Sequence, residues 1–122
     1  MAFSTFKDLI AWKKAHDLTK FVYEITDNFP VRERFSLANQ MRRAAVSIPS
    51  NLAEGLRRKS LRDSLNFYNI SESSLEELKY QLLLSFELKF ISQERFEKAD
   101  DLAEQTGKLL YRFIQSQKKN LF

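Results

Sequence analysis

The residues whose types and spacing could do chemistry are bases, and they cluster. Between Val31 and Arg62 the chain carries Arg32, Arg34, Arg42, Arg43, Arg57, Arg58, Lys59 and Arg62 against Glu33 and Glu54, so eight bases and two acids give +6. The remainder holds twelve bases and fourteen acids, or −2, so the basic character of the +4 chain belongs to this segment. Seven of the eight bases are arginine, whose planar fork pairs bidentately with phosphate or carboxylate. The chemistry this offers is phosphate binding, with no sign of base-specific readout. Arg57, Arg58, Lys59 and Arg62 are the better candidates, because they sit at an expected corner between helices and can project. Arg42 and Arg43 are adjacent and diverge by about 100° around a helix. One of them is therefore open to an internal pair with Glu54, Glu76 or Glu77. A purely solvated basic face is the competing reading, with Glu54 and Arg58 as an i,i+4 pair.

Other chemistries lack their residues. No cysteine is present, which excludes a disulfide scaffold, a thiolate metal site and a cysteine nucleophile. His16 is the sole histidine, so no histidine-based metal site forms within one chain, and no E-x-x-H or phosphate-binding glycine loop occurs. Asn51 and Glu54 beside Pro49 lack a second acid or a histidine next to them in sequence. No catalytic, metal or cofactor residue is assigned. Pro49, Asn51, Glu54 and Gly55 read instead as a structural motif.

The elements that must position these bases are helical. Only two Gly and two Pro in 122 residues leave little turn chemistry, and an all-β chain needs many turns. With 43% hydrophobic residues, eleven of them Phe, the chain can fill one core without a staple. Apolar spacing predicts four helices in one domain spanning 1–122, at roughly 8–28, 36–58, 60–90 and 92–117. Asp8 is expected as N-cap or first-turn acid of the first, Ser36 as N-cap of the second, and Ser60 with Asp63 as a capping box for the third. Short connections predict an all-α, antiparallel up-down-up-down four-helix bundle.

In the second helix the stripe Leu37, Met41, Ala44, Ile48, Leu52, Leu56 keeps phase through Pro49, predicting one helix kinked there. The carbonyl of Ala45 loses its donor to Pro49, and Ser47, Ser50 or Asn51 are the expected substitutes. Gly55 is expected to weaken the last turn. The third helix carries a core stripe (Leu75, Leu78, Leu82, Phe86, Phe90) and a second apolar stripe (Tyr80, Leu84, Leu88, Ile91) that calls for a partner. Trp12, His16 and Tyr23 lie off the core stripe of the first helix and join it as candidate oligomer-interface residues. The N-terminus lacks a signal-peptide pattern and no apolar run exceeds four residues. These features predict a soluble cytoplasmic protein without a membrane partner.

The chain also resembles a known family. "FKDLIAWKKAHDL" (6–18) is similar to an opening dL-x-x-W-x-x-A-x-x-L pattern. "NFPVRERFSLANQMRRAAVSIPSNLAEGLRR" (28–58) matches a long fP-x-x-E-x-x-x-L-x-x-Q-x-R-R-A-x-x-S-I-x-x-N-I-A-E-G signature. "SESSLEELKYQL" (71–82) is similar to a GS-x-x-E-L segment, with Ser73 where relatives often carry Gly. The resemblance is to the bacterial proteins encoded in 23S ribosomal RNA intervening sequences, relatives of the accessory variability proteins of diversity-generating retroelements. It implies a four-helix bundle, a ring-like homopentamer and a basic surface that binds nucleic acid in some members; it does not imply a known enzymatic activity, and the chain is expected to be no enzyme. Two readings follow. The chain is a homo-oligomer binding RNA or DNA through phosphate contacts, or it is a protein-binding accessory subunit, for example of a reverse transcriptase.

Overall fold

The computed structural model describes residues 6–119. Four helices account for nearly all of them: α1 (Ile10–Thr26), α2 (Leu37–Leu56), α3 (Leu61–Glu87) and α4 (Gln93–Lys118), with single 3-10 turns at Phe6–Asp8 and Val31–Glu33. No strand occurs among the described residues. Consecutive helices pack on one another, and α4 closes on α1. Contacts step backward along one helix as they step forward along the next. Thr19 meets Ala45 and Thr26 meets Arg42 between α1 and α2. Gly55 meets Ser64, Ile48 meets Ser71 and Met41 meets Ser85 between α2 and α3. Lys79 meets Glu104 and Phe86 stacks on Phe96 between α3 and α4.

The core follows the apolar stripes. One cluster runs through Leu18, Ile25, Met41, Ile48, Leu78, Leu82 and Ala103. A second, around Leu9, Ala11, Leu52, Tyr68, Leu110, Phe113 and Ile114, fills the end of the bundle where α2 turns into α3. Burying an aliphatic core side chain of this kind contributes about 1.5–3 kcal/mol each.

The helix ends partly follow the expected signals. Ser60 and Ser92 accept from the backbone N–H groups of Asp63 and Arg95, at 3.1 and 3.2 Å. Ser36 occupies the N-cap of α2 without a side-chain cap bond. Leu9, not Asp8, is the N-cap of α1, and the Asp8 side chain lies outside the described residues. Three residues sooner than expected, α3 ends, because Lys89 takes a left-handed φ of 65°. The Lys89 N–H then reaches the Phe86 carbonyl and the Phe90 N–H that of Ser85, both at 2.9 Å, the paired bonds of a Schellman stop. Phe90 folds back onto Phe29 at 5.5 Å between centroids.

This stop changes the expected second stripe of α3. Ile91 lies beyond the helix and is only 6% exposed, inside the core cluster, so it is no surface residue of the isolated chain. Leu88 is the C-cap, half exposed; Leu84 is half-buried; Tyr80 stays exposed at 63%.

Pro49 is buried inside an unbroken α2. The Ala45 carbonyl it deprives is not met by Ser47, Ser50 or Asn51. Thr19 on α1 donates to it at 3.0 Å, sharing its hydroxyl with the Ala15 carbonyl at 2.8 Å. Asn51 instead donates to the Ser47 carbonyl and hydroxyl, at 2.8 and 2.9 Å, and Ser47 bonds Ser74 of α3 at 2.7 Å.

Candidate nucleic-acid interface

The helix register separates the basic segment that is continuous in sequence. Arg43 and Arg57 are fourteen residues apart on α2, about 21 Å along its axis. Arg42 and Arg43, with Arg32 and Arg34 before them, therefore lie toward one end of the bundle, and Arg57, Arg58, Lys59 and Arg62 at the other.

Arg42 is tied down. Its Nη2 meets Asp27 Oδ1 at 2.7 Å, its Nε meets the Thr26 hydroxyl at 2.8 Å, and its guanidinium lies 4.7 Å from the Tyr23 ring centroid. The expected partners Glu54, Glu76 and Glu77 are not used. Arg42 projects toward α1, whereas Glu54 lies on the α3 side of α2 and the two others are on α3 itself. This contact also occupies Tyr23. Arg43, one step further around, is exposed.

At the α2–α3 corner, Arg57, Lys59 and Arg62 are exposed and enter no ion pair among the described residues. Arg58 pairs with Glu54 and lies 4.7 Å from the Phe67 ring, so it is partly committed to its own chain. Gly55, just before the corner, has a specific reason. A Cβ there would collide with Cε1 of buried Tyr68 and come within 2.8 Å of its Cδ1. The glycine lets α3 approach so closely that the Ser64 hydroxyl donates to the Gly55 carbonyl at 2.7 Å. Burial raises the Tyr68 phenol above its usual range, a shift that a bond with Ser64 opposes.

Sequence reading missed the rest of this end. The cluster that joins Leu9, Leu52, Tyr68 and Phe113 brings three separated stretches together. These are residues 7–15 before and in α1, 50–70 around the corner, and 108–119 of α4. They add Lys7, Lys13 and Lys14 from the first stretch and Lys108, Arg112, Lys118 and Lys119 from the last. With the corner bases this makes eleven bases against Asp8, Glu54 and Asp63, a net of +8. The remaining nine bases and thirteen acids carry −4, which closes on the chain's +4. The signal was available in principle, since alternating helices bring the start of the first and the end of the fourth beside the second corner. Counting charge along the chain rather than across the bundle end hid it; α4 continues to Lys118, and residues 120–122 lie outside the described residues.

Among the expected interface aromatics, Trp12 is half-buried against the second core cluster and stacks on exposed His16 at 4.9 Å. Among the described residues no group of three or more His, Cys, Asp or Glu could hold a metal ion, and no helix is long and apolar enough to cross a membrane.

Fold and surface together define a small all-helical bundle with its positive charge gathered at one end. The chain belongs to the 23S rRNA-intervening sequence protein family, whose family model matches residues 7–112. It is also similar to a crystal structure from Bacteroides thetaiotaomicron VPI-5482, a protein of unknown function from the S23 ribosomal protein family. That chain is 25% identical, with a TM-score of 0.78, over 86% of this chain and 98% of the other. No curated protein matches the sequence.

Proposed function

We propose that this protein is a non-enzymatic, self-associating helical bundle that binds RNA or DNA through phosphate contacts at its basic end. One observation carries the reading: three stretches far apart in sequence bring eleven bases to one end, and the acids there are few, with Glu54 already paired to Arg58. A single basic helix face is common as a solvated surface. Convergence from stretches as distant as Lys13 and Lys118 builds a field that a polyanion can span. Arg42 drops out of the binding set, and Arg43 belongs to the far end.

Each phosphate neutralised releases condensed counterions, so log affinity falls with log salt at about 0.9 per contact on duplex DNA and 0.7 on single strands. The test is a salt titration of the full chain against labelled single-stranded RNA, structured RNA and duplex DNA, with light scattering on the same samples. A slope of about 3 or more, on an assembly larger than one chain, is the expected result. Assembly without binding to any of the three would overturn the phosphate reading and put the protein-partner scaffold in its place.

A further inference from the structure

The exposed apolar residues and the charge map point to a specific self-contact, and this inference rests on the self-association half of the reading above. The connector between α1 and α2 carries the most exposed large apolar residues of the described chain: Phe35 at 89% and Val31 at 76%. They do not hang on a loose loop. The N–H groups of Glu33, Arg34 and Ser36 bond the carbonyls of Pro30, Val31 and Glu33 at 2.8, 3.1 and 3.1 Å. This tight turn holds the apolar pair outward with exposed Arg32 and Arg34 interleaved. A preorganised aromatic flanked by arginines loses little entropy on docking, and such residues dominate interface energetics.

The same chain offers a matching recess. Between α3 and α4 lies a groove of about 540 Å³ with exposed Tyr111 as its open apolar surface, buried Leu75 and Leu110 beneath, and Glu72, Glu76 and Glu104 along it. Gly107 keeps the groove open, since a Cβ there would lie 3.3 Å from Leu75 Cδ2. Lys79, also in the lining, is paired to Glu104 at 3.1 Å and Glu76 at 3.4 Å. Lys108 enters from the basic end. The lining holds three acids against Lys79 and Lys108, a net of −1, and Glu72 enters no ion pair among the described residues. Glu72 at the groove suits a knob with arginine flanks.

We infer that Phe35 and Val31 of one copy seat in the α3–α4 groove of a second copy, with Arg32 and Arg34 facing Glu72 and Glu76 of that copy. The knob is at an end of the bundle and the groove on its side, so the contact is heterologous. Repeated, it builds a ring or a filament rather than a two-fold dimer. It leaves the basic end uncovered.

The test uses three variants of the full chain and sedimentation velocity at low micromolar concentration. Phe35→Ser should weaken association at least ~30-fold, as loss of a central aromatic anchor does, with helicity unchanged because its side chain touches solvent. Arg32→Glu with Arg34→Glu, and Glu72→Lys with Glu76→Lys, should each give monomers. Mixing these two charge-reversed variants should restore association of alternating copies, because reversed knob meets reversed groove, native knob meets native groove, and each variant alone repels itself. Phe35→Ser should also keep its salt-dependent RNA shift. Variants that assemble like the parent would overturn this contact while leaving self-association standing. A parent chain that is monomeric throughout would remove both. Loss of RNA binding with assembly intact would remove only the phosphate reading.

Discussion

At Gly55 the absent side chain matters more than helix propensity. Alanine is the better helix former by about 1 kcal/mol, so a reading from sequence makes Gly55 a weakness in α2. The packing reverses that judgement. Tyr68 is 2% exposed, makes an edge contact with Phe113 at 5.1 Å, and stands where the new methyl would go. Because the ring is enclosed, it cannot swing away at low cost. Gly55→Ala should therefore destabilise the fold by about 1–3 kcal/mol, the usual range for overpacking, read as a lower urea midpoint at unchanged slope. A variant as stable as the parent would mean the Tyr68 ring repacks freely. Lys89 shows the converse: nothing in its residue type announces the left-handed φ that stops α3, so the helix end was illegible at this position and Ile91 was misassigned to a surface.

Pairs of helices are held by polar bonds as well as by the apolar stripes. The stripes were legible because spacing of three and four residues reports directly which side of a helix is covered. In the α2 stripe Met41, Ala44, Ile48 and Leu52 are buried, and Leu37 and Leu56 are half-buried at its two ends. The polar bonds between helices were not legible, because they depend on the register of one helix against another. Thr19 illustrates the point. Its hydroxyl supplies the Ala45 carbonyl with the donor that Pro49 cannot, from a helix twenty-six residues away in sequence. Thr19→Val keeps the shape and removes the donor, and should cost about 1–3 kcal/mol for the stranded carbonyl. Pro49→Ala returns a backbone N–H to Ala45. In a double-mutant cycle the cost of Thr19→Val should shrink by about 1 kcal/mol in the Pro49→Ala background. Additive costs would show that Thr19 acts by packing alone, independently of the proline.

Across the whole molecule, charge is sorted by position along the bundle rather than along the chain. Counting residues between Val31 and Arg62 gave the right sign and the wrong boundary. It joined Arg43 to Arg57, which α2 holds about 21 Å apart, and omitted Lys13, Arg112 and Lys118, which the fold returns to the corner. The two maps make different predictions about binding. If the linear segment were the unit, removing Arg32, Arg34 and Arg43 would weaken nucleic-acid binding as much as removing Arg57, Lys59 and Arg62. If the end of the bundle is the unit, the effective set is different. Lys13→Gln, Arg112→Gln and Lys118→Gln together should lower the salt slope by about 2, as should Arg57→Gln, Lys59→Gln and Arg62→Gln, each lost phosphate contact removing about 0.7–0.9. The triple change at Arg32, Arg34 and Arg43 should leave the slope of the bound chain unaltered. All nine residues are exposed. Arg32 also lies 5.8 Å from the Phe90 ring centroid and, with Arg34, belongs to the self-contact inferred above, so the slopes are compared at matched assembly state by sedimentation. A slope that responds to the corner triple but not to the α1–α4 triple would confine binding to the α2–α3 turn. Equal responses from all three would mean that net charge, not its gathering at one end, attracts the polyanion.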